Sequence, residues 1–173
     1  MRRVTFSLLL LASLVVSVGG VLWAQDDPLA ATATCNFDDE KQLVVQYQRV
    51  PINTKKPLAL QVPFGHVWAP GGKAMTLFTN SPVQIGAVTI PIGAYTLYVV
   101  PGARQWTLIV SKSTDVSGNY DDSKDLVRVQ LEAGELPSPE PEFSLSFAHT
   151  APQQCNIRMD LDKFGHFADI TRK

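Results

Sequence analysis

From residue 35 onward, apolar and polar positions alternate one for one over most of the chain. Leu43, Val45 and Tyr47 share one side of such a run, with Val44, Gln46 and Gln48 on the other. Met75, Leu77 and Thr79 alternate with Thr76 and Phe78, and Val127, Val129 and Leu131 oppose Arg128 and Gln130. Phe143, Leu145 and Phe147 oppose Ser144, Ser146 and Ala148, while Cys155, Ile157, Met159 and Leu161 oppose Asn156, Arg158, Asp160 and Asp162. A period of two marks a strand with one buried and one wetted face, the habit of antiparallel sheets. Two β-rich runs, 95–100 and 106–110, are joined by Pro101-Gly102-Ala103-Arg104, and the runs 83–85 and 88–90 flank Gly86-Ala87 as a tight hairpin. Breaks are expected in the proline-rich stretch 136–141 and at Ala151-Pro152. A short helix fits only near residues 121–126. Many short strands with frequent turns predict an all-β fold, a single antiparallel β-sandwich or a barrel-like Greek-key domain over residues 35–173. Neither an internal repeat nor a domain-splitting linker is visible.

The N-terminus reads differently. Arg2 and Arg3 precede an apolar run centred on Leu8-Leu9-Leu10-Leu11, then come Gly19-Gly20 and Leu22-Trp23-Ala24. Charge, apolar core, helix breaker and small residue are the layout of a secretory signal helix, and residues 1–24 are assigned as a signal peptide. The alternative, an uncleaved anchor, would use an apolar run near the lower limit for spanning a bilayer. Residues 25–34, polar and Ala/Thr-rich, are expected to be a flexible lead-in. The mature protein is then exported, periplasmic or extracellular, with no stable membrane insertion once the signal is removed.

Losing residues 1–24, which hold two arginines and no acids, takes the net charge from −1 to −3 and leaves 149 residues. A small acidic domain has no basic surplus to neutralise phosphates, so nucleic acid is not expected as a partner. Two cysteines remain, Cys35 and Cys155, near the two ends of the mature chain. In an oxidising compartment an even pair reads as a disulfide; the alternative is two free buried thiols.

Candidate chemistry is sparse. His66, His149 and His166 are the only histidines, each beside a turn. Gathered by a sandwich they could ligate zinc or copper and leave a coordination site open, as a metal-dependent hydrolase or oxidase requires. None has local ligand spacing, so convergence would have to come from the fold, and no cofactor is assigned. Residues 115–126 place oxygen donors at alternate positions as a calcium loop does, but Gly118 comes two positions early and Leu126 stands where a bidentate Glu belongs. The Gly71-Gly72-Lys73 run lacks phosphate-loop spacing, and there is no Gly-x-Ser-x-Gly. Trp68, whose ring could stack on a sugar, and Lys73 are the ligand-binding candidates, although core packing competes for every aromatic residue here.

The central part of the chain resembles a known family. Val62-Pro63-Phe64-Gly65-His66-Val67-Trp68, then Met75-Thr76-Leu77-Phe78-Thr79, lead to Ile90-Pro91-Ile92-Gly93-Ala94-Tyr95-Thr96-Leu97-Tyr98-Val99-Val100-Pro101-Gly102 and Trp106-Thr107-Leu108-Ile109-Val110; Tyr120-Asp121-Asp122-Ser123-Lys124-Asp125-Leu126 follows. These are similar to the bacterial family called domain of unknown function 2911, over about residues 36–170. The resemblance implies an exported β protein and carries over no catalytic residue. Many members have Trp-Arg-x-Gly-Ala-Asn-x-Ala-Thr where this chain has Trp68-Ala69-Pro70-Gly71-Gly72-Lys73-Ala74-Met75-Thr76, so the Arg and Asn of that pattern are absent. The expectation is a non-enzymatic binding or structural module of the cell envelope, with a glycan or peptide as the partner class.

Overall fold

A computed structural model describes residues 27–173. The signal peptide assigned to residues 1–24 lies outside the described residues. Eleven strands run in chain order: β1 (Ala30–Asn36), β2 (Gln42–Gln48), β3 (Val50–Pro51), β4 (Met75–Thr79), β5 (Val83–Ile85), β6 (Val88–Ile90), β7 (Gly93–Val100), β8 (Thr107–Ser111), β9 (Asp125–Gln130), β10 (Glu132–Ala151) and β11 (Gln154–Arg172). They form two antiparallel sheets. One has six strands in the order β1-β2-β4-β7-β8-β9, and the other five in the order β3-β10-β11-β5-β6. The sheets stack face to face and do not close, so of the two expected architectures the sandwich is the one adopted. Among the described residues no helix is long and apolar enough to cross a membrane.

The inward side chains are the ones the period of two selects. Leu43, Val45, Met75, Leu77, Leu97 and Leu108 from the larger sheet meet Phe143, Leu145, Ile157, Met159 and Leu161 from the smaller one. The Gly86-Ala87 hairpin forms as expected: Ile85 pairs with Val88, and Gly86 has φ +59°, the left-handed geometry that a type II′ turn requires at its first central residue. Near residues 121–126 the helix is a single 3-10 turn, Asp122–Lys124, whose cap Asp121 accepts from the Ser123 amide.

Two expectations about boundaries are corrected. The flexible lead-in does not extend to residue 34, because Ala30 to Thr34 pair with β2 as the first part of β1. Ala31, Ala33 and Cys35 face the core there, and methyl-sized side chains give too weak an apolar signal to register as a strand. The proline-rich stretch 136–141 does not end a strand either. Strand β10 passes through it, and the ladder slips instead, from Glu135↔Phe164 to Glu140↔Asp162 to Ser144↔Asp160. Pro137, Pro139 and Pro141 cannot donate to a ladder, so bulging is the local solution. On the β11 side Asp162 takes the turn, with φ +55°.

That slip changes the phase of β11. Before it the odd residues Cys155, Ile157, Met159 and Leu161 are buried; after it the even residues His166 and Ile170 are. A one-residue shift exchanges the faces of everything that follows.

Cys35 and Cys155 form a disulfide, with Cα atoms 6.4 Å apart and a sequence separation of 120. It ties β1 of the larger sheet to β11 of the smaller one, and both residues are buried. Loop closure of that length stabilises by about 4–5 kcal/mol in the chain-entropy treatment. Replacing both cysteines by alanine is therefore expected to lower the Tm by about 10–15 °C. Scanning calorimetry of the double variant checks this, and an unchanged Tm would contradict it.

Candidate functional site

A row of aromatic side chains crosses the space between the sheets. Trp106 lies just ahead of β8 and is 1% exposed. Its ring stacks on Phe143 of β10 at 6.4 Å between centroids and 6° between planes. Trp68 meets both edge-on, at 6.1 Å from Trp106 and 5.5 Å from Phe143. The imidazole of His166 also stacks on Trp106, at 4.5 Å and 18°.

At the end of this row is a pocket of about 230 Å3. Three segments build it. The first is the 57–64 stretch, where the 3-10 turn Leu58–Leu60 and Phe64 supply apolar walls. Gln61 braces that stretch by accepting from the Asn53 amide and donating to the carbonyls of Asn53 and Lys56. The second is the β7–β8 turn with Gly102, Ala103 and Trp106. A side chain at Gly102 would strike the Gln105 carbonyl, so the turn needs glycine there. Gly65 donates to the Pro101 carbonyl at 2.8 Å, and Trp68 and Val99 exchange backbone bonds of 2.7 and 3.1 Å, which fixes the first segment to the second. The third is β11, through Leu161, Asp162, Phe164 and His166.

Two polar atoms in this apolar setting have no partner among the described residues: Nδ1 of His166 and Oδ1 of Asp162, both buried. Neither serves the other, for no ion pair or hydrogen bond joins them. His166 is 3% exposed, and burial pushes its pKa down to about 4. The ring is thus a neutral imidazole at physiological pH, able to donate or accept one hydrogen bond at Nδ1. Unpartnered buried polar atoms are few in folded proteins and each costs about 1–3 kcal/mol. Both atoms belong to residues that line the cavity, although the atoms themselves are closed to solvent.

The residues singled out in the sequence are dispersed. His66 is exposed on the loop before β4. His149 is exposed near the β10–β11 turn, 3.5 Å from Asp38. It pairs across the ladder with Cys155, whereas His166 pairs with Ala133 at the far end of the same ladder. Among the described residues no three His, Cys, Asp or Glu side chains come close enough to hold a metal. The three-histidine centre does not form, because His149 and His166 lie at opposite ends of the β10–β11 ladder and His66 is on a separate loop, and the acids of residues 115–126 do not converge either. Trp68 belongs to the aromatic row, with its edges against Trp106 and Phe143. Lys73 is exposed 3.8 Å from Asp27, in a separate shallow depression with Gln46, Gln48 and Thr76. Of the candidates only His166 enters the pocket.

Asp162 and Phe164 were not candidates. The signal for them is a fault in the alternation: after Leu161, continued odd phase would bury Lys163 and leave Phe164 on the wet face. A depression of about 290 Å3 beside the β5–β6 hairpin is lined by Gln84, Gln130, Glu132 and Asp169 and holds none of the buried unpartnered atoms. A third group is closed on itself. Tyr120 Oη and Arg128 Nε both donate to Asp125 Oδ2, at 2.6 and 2.8 Å, and Arg128 Nη2 donates to Tyr120 Oη. Burial and the hydrogen bond to Asp125 push the Tyr120 phenol up to about 12, and none of the described pockets reaches the group.

The profile of the family described as "Protein of unknown function (DUF2911)" matches residues 29–167, and the chain belongs to that family. No curated protein and no solved structure matches the chain.

The buried imidazole sets a pH dependence. Its pKa is about 4 folded and about 6.5 unfolded, so its contribution to stability is complete above about pH 6.5 and is lost as pH falls toward 4. His166→Phe keeps a flat ring against Trp106 and cannot take up the proton. The fall in Tm between pH 6.5 and 4 is expected to be shallower in that variant than in the parent, as read by calorimetry across a pH series. Parallel profiles would contradict it.

Proposed function

We propose that this member of the DUF2911 family is an exported, non-enzymatic binding module of the cell envelope, with the pocket between Phe64, Trp106 and His166 as its ligand site. The observation that carries this reading is the largely apolar pocket enclosed by the 57–64 stretch, the β7–β8 turn and β11, with Asp162 and the neutral His166 among its lining residues. Export is supported by the Cys35–Cys155 disulfide, which persists outside the reducing cytoplasm, and by the signal-like pattern of residues 1–24. A binding role is supported by the side-chain inventory of the pocket, which offers one carboxylate and one imidazole that do not touch, and no activated nucleophile.

Of the two partner classes, peptide side chains and other small apolar groups suit the pocket better than sugar rings. A sugar needs a free aromatic face, and the Trp106 ring is 1% exposed and stacked by His166. Leu60, next to the pocket wall, is 78% exposed and offers a further apolar contact at the rim.

Two measurements test this. In cells making the full-length chain, the protein is expected in the envelope fraction with an intact mass lacking about the first 24 residues; a cytoplasmic, uncleaved product would overturn export. Small aromatic fragments are expected to raise the Tm of the purified protein. Ala103→Phe, at the exposed lip, is expected to abolish that shift while leaving the unliganded Tm within about 2 °C, since surface substitutions change stability by about 0.5 kcal/mol or less. Turnover of any bound fragment would overturn the non-enzymatic reading.

A further inference from the structure

The walls of the pocket are largely apolar, but its mouth is cationic. Pro57, Ala59 and Ala103 are its exposed lining residues and mark the opening. Each of the three segments that build the pocket carries an exposed cation next to a lining residue. Lys56 precedes Pro57, Arg104 follows Ala103, and Lys163 stands between Asp162 and Phe164. Lys55 is exposed one position further out on the first segment. None of these four has an ion-pair partner among the described residues, whereas Arg49, Lys73, Lys124, Arg128, Arg158 and Arg172 all have one. The other described cations without such a partner, Lys41, Lys112 and Lys173, are not neighbours in sequence of any pocket residue. In a chain of net charge −1, the mouth is a local reversal of sign.

The cations stand on positions that the fold holds. Lys56 donates its amide to the Asn53 carbonyl, and its own carbonyl accepts from the Gln61 side chain. The bond from Gly65 to Pro101 ties this segment to the turn that carries Arg104. The register slip that turns His166 inward turns Lys163 outward, where continued odd phase would have buried it. Among the lining residues Asp162 is the one acid, and its Oδ1 is closed to solvent. Glu135 and Glu140 lie opposite Phe164 and Asp162 on the ladder; neither lines the pocket or pairs with Lys163 among the described residues. At about 230 Å3 the cavity is smaller than a typical drug-sized site, which restricts the inserted part of a ligand to roughly one ring. An unpaired charge is costly inside an apolar cavity, so a charged ligand keeps its charge at the mouth.

We propose that the pocket binds a small apolar group that carries a carboxylate. The ring or branched chain packs on Leu58, Phe64 and Phe164, and the carboxylate stays at the mouth among Lys56, Arg104 and Lys163. This rests on the pocket being the ligand site, as argued above. Arginine can meet a carboxylate with two hydrogen bonds, and lysine adds a point charge on a flexible stem. The same chemistry occurs in a free arylalkyl carboxylic acid and at the C-terminus of a peptide ending in an apolar residue. Cationic ligands are disfavoured, because three like charges surround the opening. The attraction acts between exposed groups, so salt screens it.

The test uses the disulfide-bonded protein at pH 7 and low salt, with three probes sharing one apolar body: 3-phenylpropionate, 2-phenylethanol and 2-phenylethylamine. Binding is read by the indole resonance of Trp106 and by calorimetric titration. The carboxylate is expected to bind about fivefold or more tightly than the alcohol, with the amine weakest, and about 0.5 M NaCl is expected to bring carboxylate and alcohol within about twofold. Combining Lys56→Gln, Arg104→Gln and Lys163→Gln is expected to remove the preference for the carboxylate while leaving the alcohol within about twofold, since all three residues are exposed. A control combining Lys41→Gln, Lys112→Gln and Lys173→Gln changes the net charge equally and is expected to keep the preference. Gly-Gly-Phe and its C-terminal amide separate the sources. Binding of the free-C-terminus peptide, lost in the amide, identifies a peptide end, and binding of 3-phenylpropionate without the peptide identifies a free acid. Equal affinity for carboxylate and alcohol, or equal loss of the preference in both triple variants, would overturn the carboxylate assignment and leave the pocket standing as a ligand site. Failure of all three probes to perturb Trp106 would overturn both.

Discussion

The sandwich depends on the contact between its two sheets at Trp106. The indole sits just ahead of β8 of the larger sheet and stacks on Phe143 and His166, which belong to strands β10 and β11 of the smaller one. Aromatic side chains bury more area than any other type, and offset or edge-on pairs add about 0.5–1.5 kcal/mol each beyond that area. Removing such a ring from a packed core costs about 3–5 kcal/mol. Around it the branched aliphatic residues of both inner faces fill the remaining space. The disulfide adds a second, covalent tie between the sheets, from β1 to β11.

The same row of rings is what leaves a cavity. Trp106 and His166 both line the pocket, and Pro57, Leu58, Ala59 and Phe64 of the 57–64 segment supply another wall without filling it. That segment has little regular structure of its own; it is positioned by Gln61, by the bond from Gly65 to Pro101 and by the Trp68–Val99 bridge. A loop held at several points against a rigid sheet is a common way to build a binding site, because the scaffold supplies the precision and the loop the chemistry.

Polar chemistry at the pocket arises from a fault in the sheet. Three prolines in β10 cannot join the ladder, the register slips, and β11 answers with a left-handed Asp162. Downstream of the slip, the face that had carried polar residues turns inward and takes His166 with it. Without the slip, His166 would face water and its pKa would lie near that of a free imidazole. The placement of Asp162 and His166 at the pocket follows from a single irregularity, and irregularities of this kind are frequent beside functional sites.

Much of this architecture was legible in the alternation of residues alone. The strands around Val45, Leu77, Leu145 and Ile157, the Gly86-Ala87 hairpin, the all-β class and the pairing of Cys35 with Cys155 follow from local period, turn chemistry and cysteine count, which are properties of neighbouring residues. Family membership was legible from the stretch around residues 91–101. The site was not. Whether three histidines converge depends on which strands end up adjacent, and β10–β11 places His149 and His166 at opposite ends of one ladder. Trp68 and Trp106 have compositions suited equally to a sugar platform and to a core, and only the stacking of the sheets assigned them to the core. Asp162 became a pocket residue because the register of β10 slipped. Register is a relation between strands distant in sequence, so it is decided by the packing of the two sheets as a whole.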